Sequence, residues 1–279
     1  MKTLISTPTA RADEYESFYR AFDSKLMRQI RVEAYGEDIG QHSWVSAAEL
    51  RADALRLRLD KASHLLDLGC GPCGPLTFLI SQTGCRGVGL ELSPSAIQVG
   101  QTRAEALQIK KRFSARVADL NEPLPIEART VDAVLAIDVV LHVLDRSALF
   151  NEVERILRPG GRFLFTDAGI VSGAITNDEI RLRSAHGHTQ FVPMGWNEEL
   201  LRGAGFRVLE TEDRTESVTR NAGGRLRALA NHREELIRVD GDASYENQLG
   251  YVTTVVSLAA RHALTRFMYL AETFVANAY

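Results

Sequence analysis

Gly69, Gly71 and Gly74 form a Gly-x-Gly-x-x-Gly turn directly after the apolar run Leu65-Leu66-Asp67-Leu68, and Glu91 follows Gly71 by twenty residues. Glycines at this spacing let a backbone press against a nucleotide-like ligand, and a helix starting there offers free amides. An acid at the end of the next strand can take both hydroxyls of a ribose. On its own the pattern fits a nicotinamide or flavin site and another adenosine ligand equally well. Two further acids, Asp119 and Asp138, end apolar runs, and His142 stands four residues after Asp138. If a helical turn begins at that strand end, the two side chains share neighbouring ground. A histidine so placed suits proton removal or substrate orientation, while beneath a cover it would only pack. Each acid taken singly also fits a strand-end cap.

Two other constellations compete. Cys70-x-x-Cys73 invites a zinc or redox reading, but zinc needs more ligands than Cys85 supplies, and a redox pair belongs at an exposed helix start. His186-x-His188 lacks a matching set of acids, so no metal is expected.

The elements that position these residues alternate. Strand-length apolar runs occupy 64–68, 87–92, 113–118, 131–137, 162–166 and 206–210, with helical segments at 75–82, 94–108, 147–157 and 197–203. Ser93-Pro94 and the capping box Ser46-Ala47-Ala48-Glu49 mark two helix starts, the latter opening a helix to about Leu59. Tyr15, Phe18, Tyr19, Phe22, Leu26 and Ile30 recur at three- and four-residue steps, which predicts a helix over 11–34. Alternation of this kind predicts an α/β fold with a mostly parallel sheet covered on both faces. Further helices are expected at 225–239 and 245–263, separated by Gly241, and a closing strand at 266–270.

The ordered series resembles the class I S-adenosylmethionine-dependent methyltransferases. Leu66-Asp67-Leu68-Gly69-Cys70-Gly71, Gly89-Leu90-Glu91-Leu92-Ser93, Ala118-Asp119-Leu120, Ala136 to His142, and Leu157-Arg158-Pro159-Gly160-Gly161 with Arg162 to Asp167 look like that family's successive motifs over roughly 63–168. The resemblance implies a Rossmann-like seven-stranded sheet, an N-terminal helical cover and a helical insertion before the last strand. It also implies S-adenosyl-L-methionine as cofactor and S-adenosyl-L-homocysteine as product. Asp67 would meet the methionine amino group, and Gly69 and Gly71 would allow close approach. Glu91 would hold the ribose. Leu92, Ala118, Asp119 and Leu120 would surround the adenine, and Asp138 would lie beside the methionine end. Within the family, the chain is similar to enzymes acting on phosphoethanolamine or glycine-derived amines. By that match Gln41, in the loop Gly36 to Gln41, would approach the methionine carboxylate. His142 would pair with a tyrosine of the first helix, Tyr19 or Tyr15, in catalysis.

For the acceptor, the sequence offers Trp44, His186, Phe191, Met194 and Trp196 as lining residues. An aromatic wall suits a cationic amine or a flat apolar molecule. The domain reading is a cover over 1–60, a core over 61–213 and 264–279 with a substrate loop at 170–196, and a lid over 214–263. Net charge is −3, which argues against a nucleic-acid or anionic-membrane partner. Three clustered cysteines form no disulfide framework, and no secretory leader or membrane span is read, so a cytoplasmic setting is expected. Oligomeric state is not fixed, because an exposed apolar helix suits a lid or an interface. The function expected is methyl transfer to a small molecule, an amine nitrogen first, with oxygen or carbon of a quinone, sterol or natural product as the alternative. An NAD-dependent oxidoreductase or a noncatalytic cofactor-binding protein is the reading from another class.

Overall fold

The alternating runs close into one sheet. The computed structural model describes residue 19, residues 21–185 and residues 187–274. The strands are β1 (His64–Leu68), β2 (Arg86–Glu91), β3 (Phe113–Val117), β4 (Val131–Ile137), β5 (Leu157–Val171), β6 (Val192–Pro193), β7 (Phe206–Asp213) and β8 (Leu264–Thr273). Their spatial order is β3-β2-β1-β4-β5-β8-β7, with the two-residue β6 paired to β5. The first five strands pair in parallel, and β8 lies antiparallel between β5 and β7. The order reverses between β1 and β4, which opens a crevice at their carboxyl ends, where α/β sheets bind ligands.

The helices are α1 (Lys25–Tyr35), α2 (Ala47–Arg56), α3 (Gly74–Thr83), α4 (Pro94–Ala106), α5 (Arg146–Ile156), α6 (Asn177–Arg183), α7 (Trp196–Gly203), α8 (Thr215–Asn231), α9 (Arg233–Asp240) and α10 (Asp242–Ala260). Successive strand residues point to opposite faces. Leu66, Val134, Phe163 and Phe165 therefore join one apolar cluster, and Leu65, Leu135 and Leu164 join the other. Burial on both faces explains why the runs read as nearly continuous hydrophobic stretches. A third cluster ties Ile30 of α1 and Trp44 to Val218, Ala222, Tyr245 and Val252 of the helices before β8.

Several expectations change. The helix read over 11–34 is interrupted: residues 21–24 turn, and Ser24 caps a new helix by accepting from Met27 N. The capping box forms as read, but its helix stops at Arg56 with Leu57 as the cap. The Arg158-Pro159-Gly160-Gly161 turn lies inside β5: Val131 pairs with Leu157 while Ala133 pairs with Arg162, so the residues between bulge out. The helical character expected from about 214 is present, but the first helix, read around 225–239, is two: α8 covers Thr215–Asn231 and α9 covers Arg233–Asp240. Gly223-Gly224 reads as a weak point in a helix, yet a Cβ on Gly224 would meet Ala34 O at 2.3 Å. The glycine is there because two helix backbones touch.

Candidate active site

The glycine turn is shaped by backbone conformation. Gly69 has φ +63°, and a Cβ there would lie 2.3 Å from Val139 Cγ2. Gly71 has φ +52°, and a Cβ there would lie 3.4 Å from the Tyr19 hydroxyl. Glu91 at the end of β2 braces this turn. Its Oε2 accepts from Gly71 N at 3.0 Å, and its Oε1 accepts from Ser93 N at 3.0 Å. A carboxylate at this strand end is chemically suited to accept from a diol.

Asp67, at the end of β1, is 2% exposed, and its Oδ2 has no hydrogen-bond partner among the described residues. Burial, then the nearby Glu91 charge, push its carboxyl well above the usual carboxylate range. A buried acceptor without a donor is costly unless a ligand satisfies it. The site therefore asks for a cationic or strongly donating group.

Asp138 ends β4 at φ +52°, a conformation rare outside glycine. Its Oδ1 accepts from Arg266 Nε at 2.8 Å and Thr166 Oγ1 at 2.7 Å, and its Oδ2 accepts from Trp44 N at 3.2 Å. The carboxylate lines the cleft while the surrounding protein holds it in place. After it, Val140–His142 form a 3₁₀ turn. His142 Nδ1 lies 2.8 Å from the His188 carbonyl oxygen. A carbonyl only accepts, so Nδ1 carries the proton and Nε2 keeps its lone pair. Burial lowers the His142 pKa, and the Arg183 charge lowers it further, against the raising effect of the His188 bond. His142 is thus a neutral imidazole with a basic nitrogen near neutral pH.

These groups share one cleft of about 240 Å³. Its floor is the glycine turn and the ends of β1, β2 and β4. Leu92, Ala118, Asp119 and Leu120 line one end. Its roof is Tyr19, His42, Trp44, Arg225 and Tyr251. Trp44 and Tyr251 stack at 6.5 Å between ring centroids, with planes 18° apart. Asn221 of α8 donates to Trp44 O at 2.7 Å, pinning the roof to the helix that follows β7 in the chain.

Residues 66–165 match the family model described as "Methyltransferase domain". This chain carries a methyltransferase domain. It is 31% identical over 163 residues to an O-methyltransferase of Pyrenophora dematioidea, covering 57% of this chain and 59% of that protein. It is 26% identical over 245 residues to phosphoethanolamine N-methyltransferase 3 of Arabidopsis thaliana, covering 86% of this chain and 48% of that one. The chain thus spans about half to three fifths of the length of these relatives. Among solved structures, the Haemonchus contortus phosphoethanolamine N-methyltransferase 2, in complex with phosphomonomethylethanolamine and S-adenosylhomocysteine, superposes with a TM-score of 0.78 at 19% identity. That match covers 95% of this chain and 60% of that one. The likeness in fold spans the domain, its cover and the helices before β8.

The structure brings Tyr19, Trp44, Asp67, Gly69, Gly71, Glu91, Leu92, Ala118, Asp119, Leu120, Asp138 and His142 of the methyltransferase domain and its cover to the cleft. Gln41 has another task. It is 1% exposed, its Oε1 accepts from Ile39 N at 2.9 Å, and its Nε2 donates to Glu37 O at 3.0 Å. It shapes the loop instead of lining the cleft. Phe191 packs with Leu258, Ala263 and Leu264, and Trp196 starts α7 with 44% of its surface exposed, so neither lines the cleft. Met194 is likewise outside, 60% exposed. His186 and Tyr15 lie outside the described residues. Sequence reading missed Arg183, Arg225 and Tyr251 as lining residues, and it had His188 as a member of the substrate loop and a metal candidate. No spacing marks them, because they come from separate helices and a loop. The cysteines pack inward: Cys70 and Cys73 sulfurs stand 3.4 Å apart, and burial raises the Cys70 pKa well above the usual thiol value.

Proposed function

We propose that this chain binds S-adenosylmethionine and transfers its methyl group to a small-molecule acceptor. The observation carrying this is the buried, partnerless Asp67 Oδ2 beside a glycine turn braced by Glu91. That pairing asks for a cation a short distance from a diol, which the methionine amino group and the ribose supply together. The residues fit the cofactor. Asp67 would take the ammonium, Gly69 and Gly71 would admit the methionine part, Glu91 would accept from the ribose hydroxyls, and Leu92, Asp119 and Leu120 would hold the adenine.

The sulfonium supplies an electrophilic methyl group, and the transfer is an in-line displacement. The protein's work is to align the acceptor, exclude water and remove a proton where the acceptor carries one. His142 Nε2 is the base or orienting group, with its tautomer set by the His188 carbonyl. Tyr19 closes the cleft over Gly71 and is placed to orient the acceptor or the methyl end. In this reading the described part of the cover, residues 21–60, and the helices of 214–263 act as a lid on the described part of the core, residues 61–185, 187–213 and 264–274. Enclosure beneath that lid supports a small acceptor and argues against nucleic acid. No helix among the described residues is long and apolar enough to cross a membrane. Three buried free cysteines support a reducing, cytoplasmic setting. One relative's name specifies oxygen and the other's nitrogen, so the acceptor atom is assigned by experiment.

Calorimetry with S-adenosylhomocysteine and with NAD tests the reading. Binding of the first and not the second is expected. NAD binding without S-adenosylhomocysteine binding would overturn it.

A further inference from the structure

The carbonyl that sets the His142 tautomer belongs to a stretch without regular structure. Between α6 and β6 the described residues turn and bend, and a strand resumes only at Val192. His188 lies in this stretch, so contacts from outside it must fix where its carbonyl stands. Two residues on, Gln190 N donates to Leu141 O at 2.7 Å, directly before His142. Gln190 is in turn held by Arg146, the first residue of α5. Arg146 Nε donates to Gln190 Oε1 at 2.9 Å, and Arg146 Nη2 donates to Gln190 O at 2.8 Å. One planar guanidinium thus grips both the side chain and the main chain of a single loop residue, which fixes its orientation as well as its place.

The guanidinium is itself locked from behind. Its Nη1 donates to Asp167 Oδ2 at 2.5 Å and to Asn197 Oδ1 at 2.8 Å, and Asn197 Nδ2 donates to the same Asp167 oxygen at 3.0 Å. Arg146, Asp167 and Asn197 are all buried. Asp167 Oδ1 accepts from Gly169 N at 2.8 Å, where β5 shifts register against β8. A Cβ on Gly169 would stand 3.2 Å from Gln190 O and 3.5 Å from Leu141 Cβ, so the strand lies flush against the loop residue and the 3₁₀ turn together. Elements of the core, α5, β5 and α7, therefore converge on Gln190. A buried ionic network is a costly way to stabilise a fold, since apolar residues of similar volume often do as well. What it adds is a directional mount on rigid elements, which a precisely placed group needs.

We propose that Arg146, acting through Gln190, is a positioning residue for His142: it sets the His188 carbonyl against Nδ1, and so keeps the proton there and the lone pair on Nε2. Both residues stand behind the cleft wall rather than in it. This rests on the role of His142 in methyl transfer, and its test reads the ring itself, so the two can fail separately.

The protein is isotopically labelled at its histidine ring nitrogens. The His142 signals, assigned by their loss in H142N, are read by proton–nitrogen correlation spectroscopy above the ordinary histidine pKa of 6.5. In the parent, Nδ1 should carry the proton. Q190A cuts the Arg146 Nε bond and leaves the buried Arg146–Asp167 pair intact. Its ratio of Nδ1–H to Nε2–H should fall about tenfold, the worth of one hydrogen bond. R146K keeps a charge opposite Asp167 but cannot fork onto Gln190, and should shift the ratio the same way. Q190E keeps an acceptor for Arg146 and should hold the parent tautomer. Calorimetric affinity for S-adenosylhomocysteine should stay within about twofold in Q190A. A parent ring protonated at Nε2, or Q190A or R146K with the parent ratio, overturns the proposal, as does equal disturbance by Q190E and Q190A. A network with a structural role only would give that second result, a lowered urea midpoint in Q190A and R146K with an unmoved ratio. Loss of S-adenosylhomocysteine affinity by about tenfold in Q190A also overturns it, since Gln190 would then shape the donor's site. Failure of the parent to bind S-adenosylhomocysteine sinks the methyltransferase reading instead, and the tautomer ratio still judges the clamp.

Discussion

Arg266 Nε lies 2.8 Å from Asp138 Oδ1, joining the closing strand to the end of β4 across 128 residues of chain. The same guanidinium reaches both Glu49 carboxylate oxygens, at 3.2 and 3.3 Å, and Thr166 Oγ1 at 3.2 Å. Asp138 sits in a strained left-handed conformation, and this network over-determines it.

R266M would strand two carboxylates in a buried site. We expect a loss of about 3–5 kcal/mol of stability, read by urea unfolding, because breaking one side of a buried pair leaves an uncompensated charge. R266M/D138N, which also removes one charge, should recover part of the loss. A single variant as stable as the parent would contradict the role of the pair.

Gly69 tests the turn. G69A places a methyl group against Val139 and forces an L-residue to φ +63°. The backbone term alone is about 1–2 kcal/mol. Affinity for S-adenosylhomocysteine should fall more than tenfold, and G69A/V139A should regain only part, since it relieves the clash and leaves the backbone strain. Full recovery in the double variant would show that the conformation itself carries no cost.

Asp67 makes cofactor binding depend on pH. Its carboxyl titrates above the usual carboxylate range, and a cationic amino group binds only the ionised form. S-adenosylhomocysteine affinity should therefore rise as pH climbs through that raised pKa, and D67N should flatten the dependence. The sign for stability is opposite. A raised folded-state pKa stabilises the unliganded protein fully below the unfolded value near 3.8, and that contribution is lost as pH rises through the folded value. Calorimetry across pH on the liganded and unliganded protein reads both.

His142 has a lowered folded-state pKa, so its stabilising contribution is present above the unfolded value near 6.5 and fades as pH falls below it. With an acceptor that must lose a proton, the acid limb of kcat/KM should lie below 6.5 and vanish in H142A. R183M should move that limb to higher pH, because it removes a positive charge acting on the ring. Asp167 and His188 also act on this imidazole and remain in that variant. An unmoved limb would separate Arg183 from the histidine.

E91A removes the brace on Gly71 N and Ser93 N together with the diol acceptor. S-adenosylhomocysteine affinity should fall by about 2 kcal/mol or more. Calorimetry showing unchanged affinity would refute the ribose assignment.

The floor of the cleft was legible in the sequence because its residues follow strand ends at fixed steps along the chain. Asp67, Glu91, Asp119 and Asp138 stand at or just beyond the carboxyl ends of strand-length apolar runs, so parallel pairing of β1 to β4 brings them to one end of the sheet, and the ordered motif series marks them as a set. Of the roof, Tyr19 and Trp44 were legible as aromatic residues of the cover, and the rest was not. Arg183, Arg225 and Tyr251 sit on three helices whose apolar faces pack on one another, and nothing in their spacing says which polar residue turns toward the cleft. Gln41 failed for a related reason: a loop amide can satisfy its own backbone as readily as a ligand. Helical structure from about 214 was legible, but the contact of Gly224 with Ala34 was not, because low helix propensity there gives way to tertiary packing.

The contact between Gly224 and Ala34 has a bearing on engineering. It fastens together two stretches of chain that lie at opposite ends of the sequence, and the same seam carries Ile30, Trp44 and Val218. A chimaera that borrows only the 215–260 helices from a relative would set a foreign helix against α1 at backbone distance. Retargeting this scaffold to a new acceptor therefore means transplanting both stretches as a matched set, while the glycine turn and its acids stay in place.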